Sequence, residues 1–335
     1  MRARGRMMLH DQLARSAFWA LPDHEGRSSS GRRVGVEVEF AGLSVAQTAA
    51  VLRDLWGGNV THAGAQGVTL DGGRLSRLRV ELDISLQEKW LEDLAAASLG
   101  DLVPVEIVTA PLLPHALETL AEGLDALVAA GARGTQEKLA FGFGVHFNPD
   151  LPDDPAAALA VARAFGLLED WLRHSAPLDT ARRLLPFVKP WPAVLIDLLA
   201  AGEATTLKQL APAYARLAPA RGFGLDLLPV LEHLIPDALC GVPETQLKGG
   251  RPTYHYRLPE TRLGDGDWSL AYEWNRWVVI EHVAADAALL ACLAQDWNTH
   301  RARLVSLKRD WAAHVEALLC EAGIVARAAQ PLASG

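Results

Sequence analysis

The stretch from Arg33 to Phe40, RVGVEVEF, alternates with a period of two. As a β-strand it sends Val36, Val38 and Phe40 one way and Glu37 and Glu39 the other. The β-branched valines suit a pleated, half-buried surface, so one face can feed a core. The other face sets two carboxylates about 7 Å apart, at roughly 3.3 Å of rise per residue. That spacing suits gripping a hard cation from one side. Taken alone, the strand reads as well as an exposed face with two solvated glutamates, so the rest of the chain must decide.

Composition narrows the field. The chain has 335 residues, half of them hydrophobic and 21% charged. That is an ordinary globular composition, with room for one elaborated domain or for two. A net charge of −8 argues against a protein whose main work is holding nucleic acid by its phosphates. Cys240, Cys292 and Cys320 are odd in number and far apart, with no CxxC pair. They indicate neither a zinc site nor a disulfide framework, and a reducing cytoplasm is the expected location. No run approaches the roughly 18 apolar residues of a membrane span, and no apolar signal core follows the basic start. Neither nucleic acid nor membrane is therefore expected as a partner. Residues 1–32 read as a flexible leader, turn-rich from Pro22 onward, residues 33–324 as one catalytic domain, and residues 325–335 as a frayed tail.

Ser44 is a good N-cap for a helix that Gly57-Gly58 ends. Strands are predicted over 59–63, 67–71, 77–83, 102–109, 141–148 and 254–258. Pro104 marks an edge strand or the start of one. Helices are predicted over 86–98 and 113–130, then through a largely helical part, 155–250, at 156–174, 191–201, 206–217 and 224–234. Asp267 is read as the cap of a helix reaching about Val283, and one further helix spans 286–322. Strict βαβ alternation is absent. The expected class is α+β, a mostly antiparallel sheet with helices packed on one face and a polar concave face forming the site.

The polar faces of these strands carry the chemistry. Glu37 and Glu39 sit on the first, Glu81 and Asp83 on the 77–83 strand, and Glu106 on another. His146 and Asn148 share a face with Gly142 and Gly144, which leave the backbone approachable, and His255 and Arg257 share a face of the last strand. Gathered on one sheet face, the carboxylates would repel unless cations compensate. Oxygen-rich ligands with one imidazole match Mg²⁺ or Mn²⁺ better than zinc. Arg79 and Arg257 add charge suited to phosphate or carboxylate. Lys189, in a Pro-stiffened turn, is within the same logic a phosphate contact, or else a surface lysine. Such parts handle nucleotide phosphates.

In this order, VGVEVEF (34–40), VELD (80–83), VEIVTAPL (105–112) and GVHFN (144–148) resemble the amidoligase family, within the wider group of carboxylate–amine ligases that includes glutamine synthetase and glutamate–cysteine ligase. The resemblance covers roughly residues 33–260. It implies a glutamine synthetase-like catalytic sheet that binds ATP with divalent metals, phosphorylates a carboxylate and lets an amine displace the phosphate. It further implies small, amino-acid or peptide-like substrates, and ammonia from a separate glutaminase as one amine source. By motif, Glu37, Glu39, Glu81, Glu106 and His146 resemble the metal ligands, while Arg257 and Arg79 resemble the phosphate-stabilising groups. Lys189, Asn148 and His255 fall to cofactor binding. The family's late Glu-x-Arg, whose Glu is on metal and Arg on phosphate, is His255-Tyr256-Arg257 here, with His in place of Glu. Glu273 and Arg276 are a second match, but three apart on a helix they read as surface neighbours. Two competing readings stay open: a catalytically weak binding or scaffold relative, and a metal-dependent phosphohydrolase with water as the acceptor.

Overall fold

A computed structural model describes residues 8–24, 28–62, 67–82, 104–135, 143–175, 188–330 and 332. The expected helix 86–98, Asp83, the start of the 102–109 strand, and Phe141 and Gly142 lie outside the described residues.

The strands are β1 (Val34–Phe40), β2 (Asn59–His62), β3 (Gly67–Gly73), β4 (Ser76–Leu82), β5 (Val105–Thr109), β6 (Val145–Pro149), β7 (Leu225–Asp226) and β8 (His255–Tyr256). They form one eight-stranded sheet in the order β2-β3-β4-β5-β1-β6-β8-β7. Every described pairing between these strands is antiparallel. The opening strand is therefore central, flanked by β5 and β6. Pro104 lies just before β5 begins, where its missing N–H costs no ladder bond.

The period of two decides which face is dry. Val34, Val36, Val38 and Phe40 of β1 are fully buried with Val80, Val105, Ile107, Val145 and Phe147. Each such side chain stabilises the fold by about 1.5–3 kcal/mol. Ten α-helices are described: α1 (Val45–Trp56), α2 (Ala116–Ala130), α3 (Pro155–Ser175), α4 (Ala193–Ala201), α5 (Leu207–Leu217), α6 (Leu228–Leu234), α7 (Leu270–Ala285), α8 (Ala287–Arg301), α9 (Lys308–Glu321) and α10 (Ile324–Ala328). The protein is thus α+β. α1 opens with a reciprocal capping box between Ser44 and Gln47. It lies on β2, β3 and β4, with α2 beside it. α7 is buried on nearly every side, and its buried polar residues Glu273, Asn275, Arg276 and Glu281 all have hydrogen-bond or ion-pair partners. Its Trp274 meets Phe147 edge-on at 5.6 Å, and its Trp277 lies 5.2 Å from the ring of Tyr256. Among the described residues, no single helix is long and apolar enough to cross a membrane.

Several expectations change. Within the stretch read as a flexible leader, the described residues include a packed set: Leu9, Leu13, Phe18, Trp19 and Leu21 are buried. Trp19 hydrogen-bonds across α7, its N–H to Asn275 and its carbonyl from the Trp274 indole. The tail is not frayed at its start, because Ile324 and Ala328 of α10 are buried and the Gln330 carbonyl accepts the Ala20 N–H at 2.9 Å. The helix expected over 224–234 begins as β7, since pairing with β8 satisfies Leu225 and Asp226 before α6 starts. Of the 254–258 strand only His255 and Tyr256 make ladder pairs. α7 is capped by Ser269, whose hydroxyl accepts the Tyr272 N–H, rather than by Asp267. The single helix expected over 286–322 breaks after Arg301, and the reversal brings Trp311 to 5.1 Å from Trp297 and its indole N–H to the Leu167 carbonyl. Burial of that tryptophan outweighs helix continuity. Glu273 and Arg276 are not surface neighbours but a buried ion pair at 2.6 Å.

Candidate functional site

Strand register assembles the polar face in rows. Glu81 on β4 stands opposite Glu106 on β5, which stands opposite Glu39 on β1. The next row sets Arg79 opposite Val108, Val108 opposite Glu37, and Glu37 opposite His146 on β6. One step further, Asn148 faces Gly35. Like charges directly across a ladder destabilise a sheet. Three carboxylates in a row are therefore an arrangement that a cation would relieve.

Hydrogen bonds hold the inner groups in place. Glu37 takes the Asn148 amide on Oε1 at 2.9 Å and faces His146 Nδ1 from Oε2 at 2.9 Å. The Gly144 N–H donates to Glu39 Oε2 at 2.8 Å, and Glu39 Oε1 lies 3.7 Å from His146 Nε2. His255 arrives on β8 with Nε2 3.8 Å from Glu37 Oε2. Its ring meets that of His146 edge-on, with centroids 5.3 Å apart.

Two groups of ligand atoms result, each within 4.8 Å of one another: Glu37, His146 and His255, and Glu39, Glu106 and His146. Burial opposes ionisation of Glu37, but hydrogen bonds and charge from His146, the charge of His255 and the Asn148 amide outweigh it. They hold the Glu37 carboxyl well below the usual range. Burial pushes His255 down to about 4, against the hydrogen bond of Asp226 and the charge of Glu37. A neutral imidazole beside an ionised carboxylate is a ligand pair ready for a divalent cation. The fit is concrete: His255 Nε2 is buried with no hydrogen-bond partner among the described residues.

The remaining expected residues lie outside these two groups. Glu81 is at the outer end of the carboxylate row and pairs with the exposed Arg79 at 3.3 Å. Such an exposed pair adds little stability. Arg257 donates Nη1 to the Arg221 carbonyl at 2.5 Å, and its buried Nε has no partner among the described residues. Lys189 is exposed and pairs through its backbone with Phe223, beside β7.

Sequence reasoning missed Asp226 and Arg221. Asp226 is fully buried, 3.3 Å from His255 Nδ1 and 3.1 Å from Arg221 Nε. Its signal was the alternation Phe223, Leu225, Leu227 with Gly224 and Asp226 between, hidden by a run that also suits a helix.

A family model described as "Putative amidoligase enzyme" matches residues 30–279, which include all eight strands of the sheet. No curated protein matches the chain.

Proposed function

The chain belongs to the amidoligase family, ligase-type enzymes, and from that premise we propose that it is an ATP- and Mg²⁺-dependent carboxylate–amine ligase. Its sheet is then a relative of the glutamine synthetase and glutamate–cysteine ligase catalytic sheets. The observation that supports this most is the meeting of two carboxylate–imidazole groups on one sheet face, with His146 common to both.

In this reading Glu37, Glu39, Glu106 and His146, with Glu81 at the outer end, hold divalent cations, which supply neutralisation of the ATP phosphates. Arg257, anchored by Nη1 to the Arg221 carbonyl, turns its remaining donors to the transferring phosphoryl group. Arg79 and Lys189 stand further out and attract phosphate by charge. A substrate carboxylate oxygen takes the γ-phosphoryl group and ADP leaves. The amine nitrogen then adds to the activated carbonyl carbon and loses a proton, and phosphate departs with the same oxygen. No protein nucleophile is needed, which agrees with the lack of any Gly-x-Ser-x-Gly motif.

The test is ADP release from Mg²⁺–ATP with panels of amino-acid and peptide carboxylates and amines, paired with mass detection of an amide. Phosphate release that needs no amine and yields no amide would mark a phosphohydrolase instead. Absence of Mg²⁺-dependent ATP binding by calorimetry would mark a scaffold.

A further inference from the structure

The two ligand groups are chemically unlike. Glu39 and Glu106 offer only oxygen, and their row continues to Glu81. The other corner offers Glu37 and two imidazoles. We propose that Glu37, His146 and His255 form a separate cation corner that selects a borderline divalent ion of the iron-to-zinc series over Mg²⁺, with Asp226 as the residue that positions His255. The proposal deepens the ligase reading above and rests on it for the purpose of the site, not for the chemistry of the corner.

Geometry carries the argument. Ligand atoms on one small divalent ion with bonds of about 2.0–2.2 Å stand roughly 3–3.5 Å from each other. Here Glu37 Oε2 is 2.9 Å from His146 Nδ1 and 3.8 Å from His255 Nε2. The rings are nearly perpendicular, at 79°, so their in-plane lone pairs can converge without the rings clashing.

Tautomer control points the same way. A neutral imidazole has one lone pair and one N–H. His255 Nδ1 lies 3.3 Å from the fully buried Asp226 carboxylate and 3.4 Å from Arg221 Nη2; donation of Nδ1–H to the carboxylate, the closer and oppositely charged partner, leaves Nε2 as the lone pair. That Nε2 is buried and has no hydrogen-bond partner among the described residues. Asp226 is itself held by Arg221 Nε at 3.1 Å and by the Leu228 N–H at 2.9 Å. His146 has Nδ1 2.9 Å from Glu37 and Nε2 3.7 Å from Glu39, so a cation at this corner takes the place of the Nδ1 proton and leaves the N–H on Nε2. A carboxylate behind a ligating imidazole, as Asp226 stands behind His255, is the usual outer support of a metal-bound histidine. Once His146 ligates through Nδ1 here, it has no second lone pair for the other group, and Glu39 and Glu106 remain as an all-oxygen corner suited to Mg²⁺. Imidazole nitrogen favours the later first-row ions, and carboxylate oxygen favours Mg²⁺.

The probe is Co²⁺, titrated into the full-length protein without nucleotide and followed by visible absorption and by calorimetry against Mg²⁺. Expected is one Co²⁺ site at least tenfold tighter than Mg²⁺, weakened about 10–100-fold by Asp226→Asn and at least as much by His255→Ala. His255→Glu should erase the preference for Co²⁺, whereas Glu106→Gln should keep it. In case the His255 variants do not fold, pulsed electron paramagnetic resonance of the unaltered protein loaded with Cu²⁺ counts coupled imidazole nitrogens directly. Two are expected. One or none, or Co²⁺ affinity unchanged in folded His255→Ala, overturns the proposal even if amide formation is intact. Conversely, a two-imidazole site in a protein that makes no amide overturns the ligase reading and leaves this one standing.

Discussion

Arg32 donates both terminal guanidinium nitrogens to the Glu281 carboxylate at 2.7 Å, across 249 residues of chain and out of reach of solvent. Glu281 also accepts the Trp277 indole N–H at 3.0 Å and lies 3.3 Å from His24 Nε2, while Arg32 reaches the Asp150 carbonyl through Nε and Nη2. One buried pair thus ties the N-terminal segment, the end of β6 and the central helix α7. Removing one partner leaves the other charge buried and alone. Arg32→Ala or Glu281→Ala should each cost about 3–5 kcal/mol in chemical denaturation, and Arg32→Met with Glu281→Leu should recover part of that loss.

The same pair sets an acid limit. Burial pushes the Glu281 carboxyl up, but Arg32 and His24 outweigh it and hold it at about 2, below the ordinary 4.5. A depressed carboxylate lends stability that is present above its unfolded value and is lost as pH falls through the folded one. The contribution, about 3 kcal/mol at roughly 1.4 kcal/mol per pH unit, should be intact above pH ~5 and disappear between ~4.5 and ~2. Thermal scans across that window should show a steeper decline for the unaltered protein than for Glu281→Gln. Parallel curves would remove Glu281 as the cause.

Gly144 faces the site, and a Cβ there would stand 2.8 Å from His146 Nε2 and 3.6 Å from Glu39 Oε2. Gly144→Ala should therefore displace the imidazole without emptying the core behind it. Mg²⁺-dependent ADP release is expected to fall at least tenfold, with the denaturation midpoint shifted by less than that of Arg32→Ala. Full activity would mean that the His146 ring position does not matter.

The carboxylate row predicts a trade between stability and binding. Glu39 and Glu106 stand directly opposite each other, and like charges so placed cost roughly 0.2–1 kcal/mol. In chelator, Glu106→Gln should melt at or above the temperature of the unaltered protein. On adding Mg²⁺ the unaltered protein should gain stability and the variant should gain much less. An equal gain in both would detach the row from cation binding.

Away from the site, Gly123 on α2 lies under the Trp56 ring, where a Cβ would come within 2.1 Å of Cζ2. Gly123→Ala should cost about 1–3 kcal/mol by overpacking, although alanine is the better helix former. Stability equal to or above that of the unaltered protein would mean that α1 and α2 separate at no cost.

The alternation in RVGVEVEF was sufficient to put Val36, Val38 and Phe40 on the dry side of a sheet, because side-chain direction in a strand depends only on parity. It also put Glu37 and Glu39 on a common face. Ser44 with Gln47 announced α1, because a capping box is a local hydrogen-bond pattern. Register was not legible. That Glu39 meets Glu106, and that Glu37 meets His146, follows from how strands 70 to 110 residues apart slide past one another. His255 with Asp226 depended on a two-residue strand too short to declare itself among helices. The packing of the N-terminal segment was hidden for the same reason: Arg32 looks like one more basic residue in a turn-rich stretch until Glu281 is beside it. Local chemistry determined which elements form and which of their faces are wet. Only the tertiary structure decided which polar groups meet, because meeting depends on burial and on contacts between distant parts of the chain.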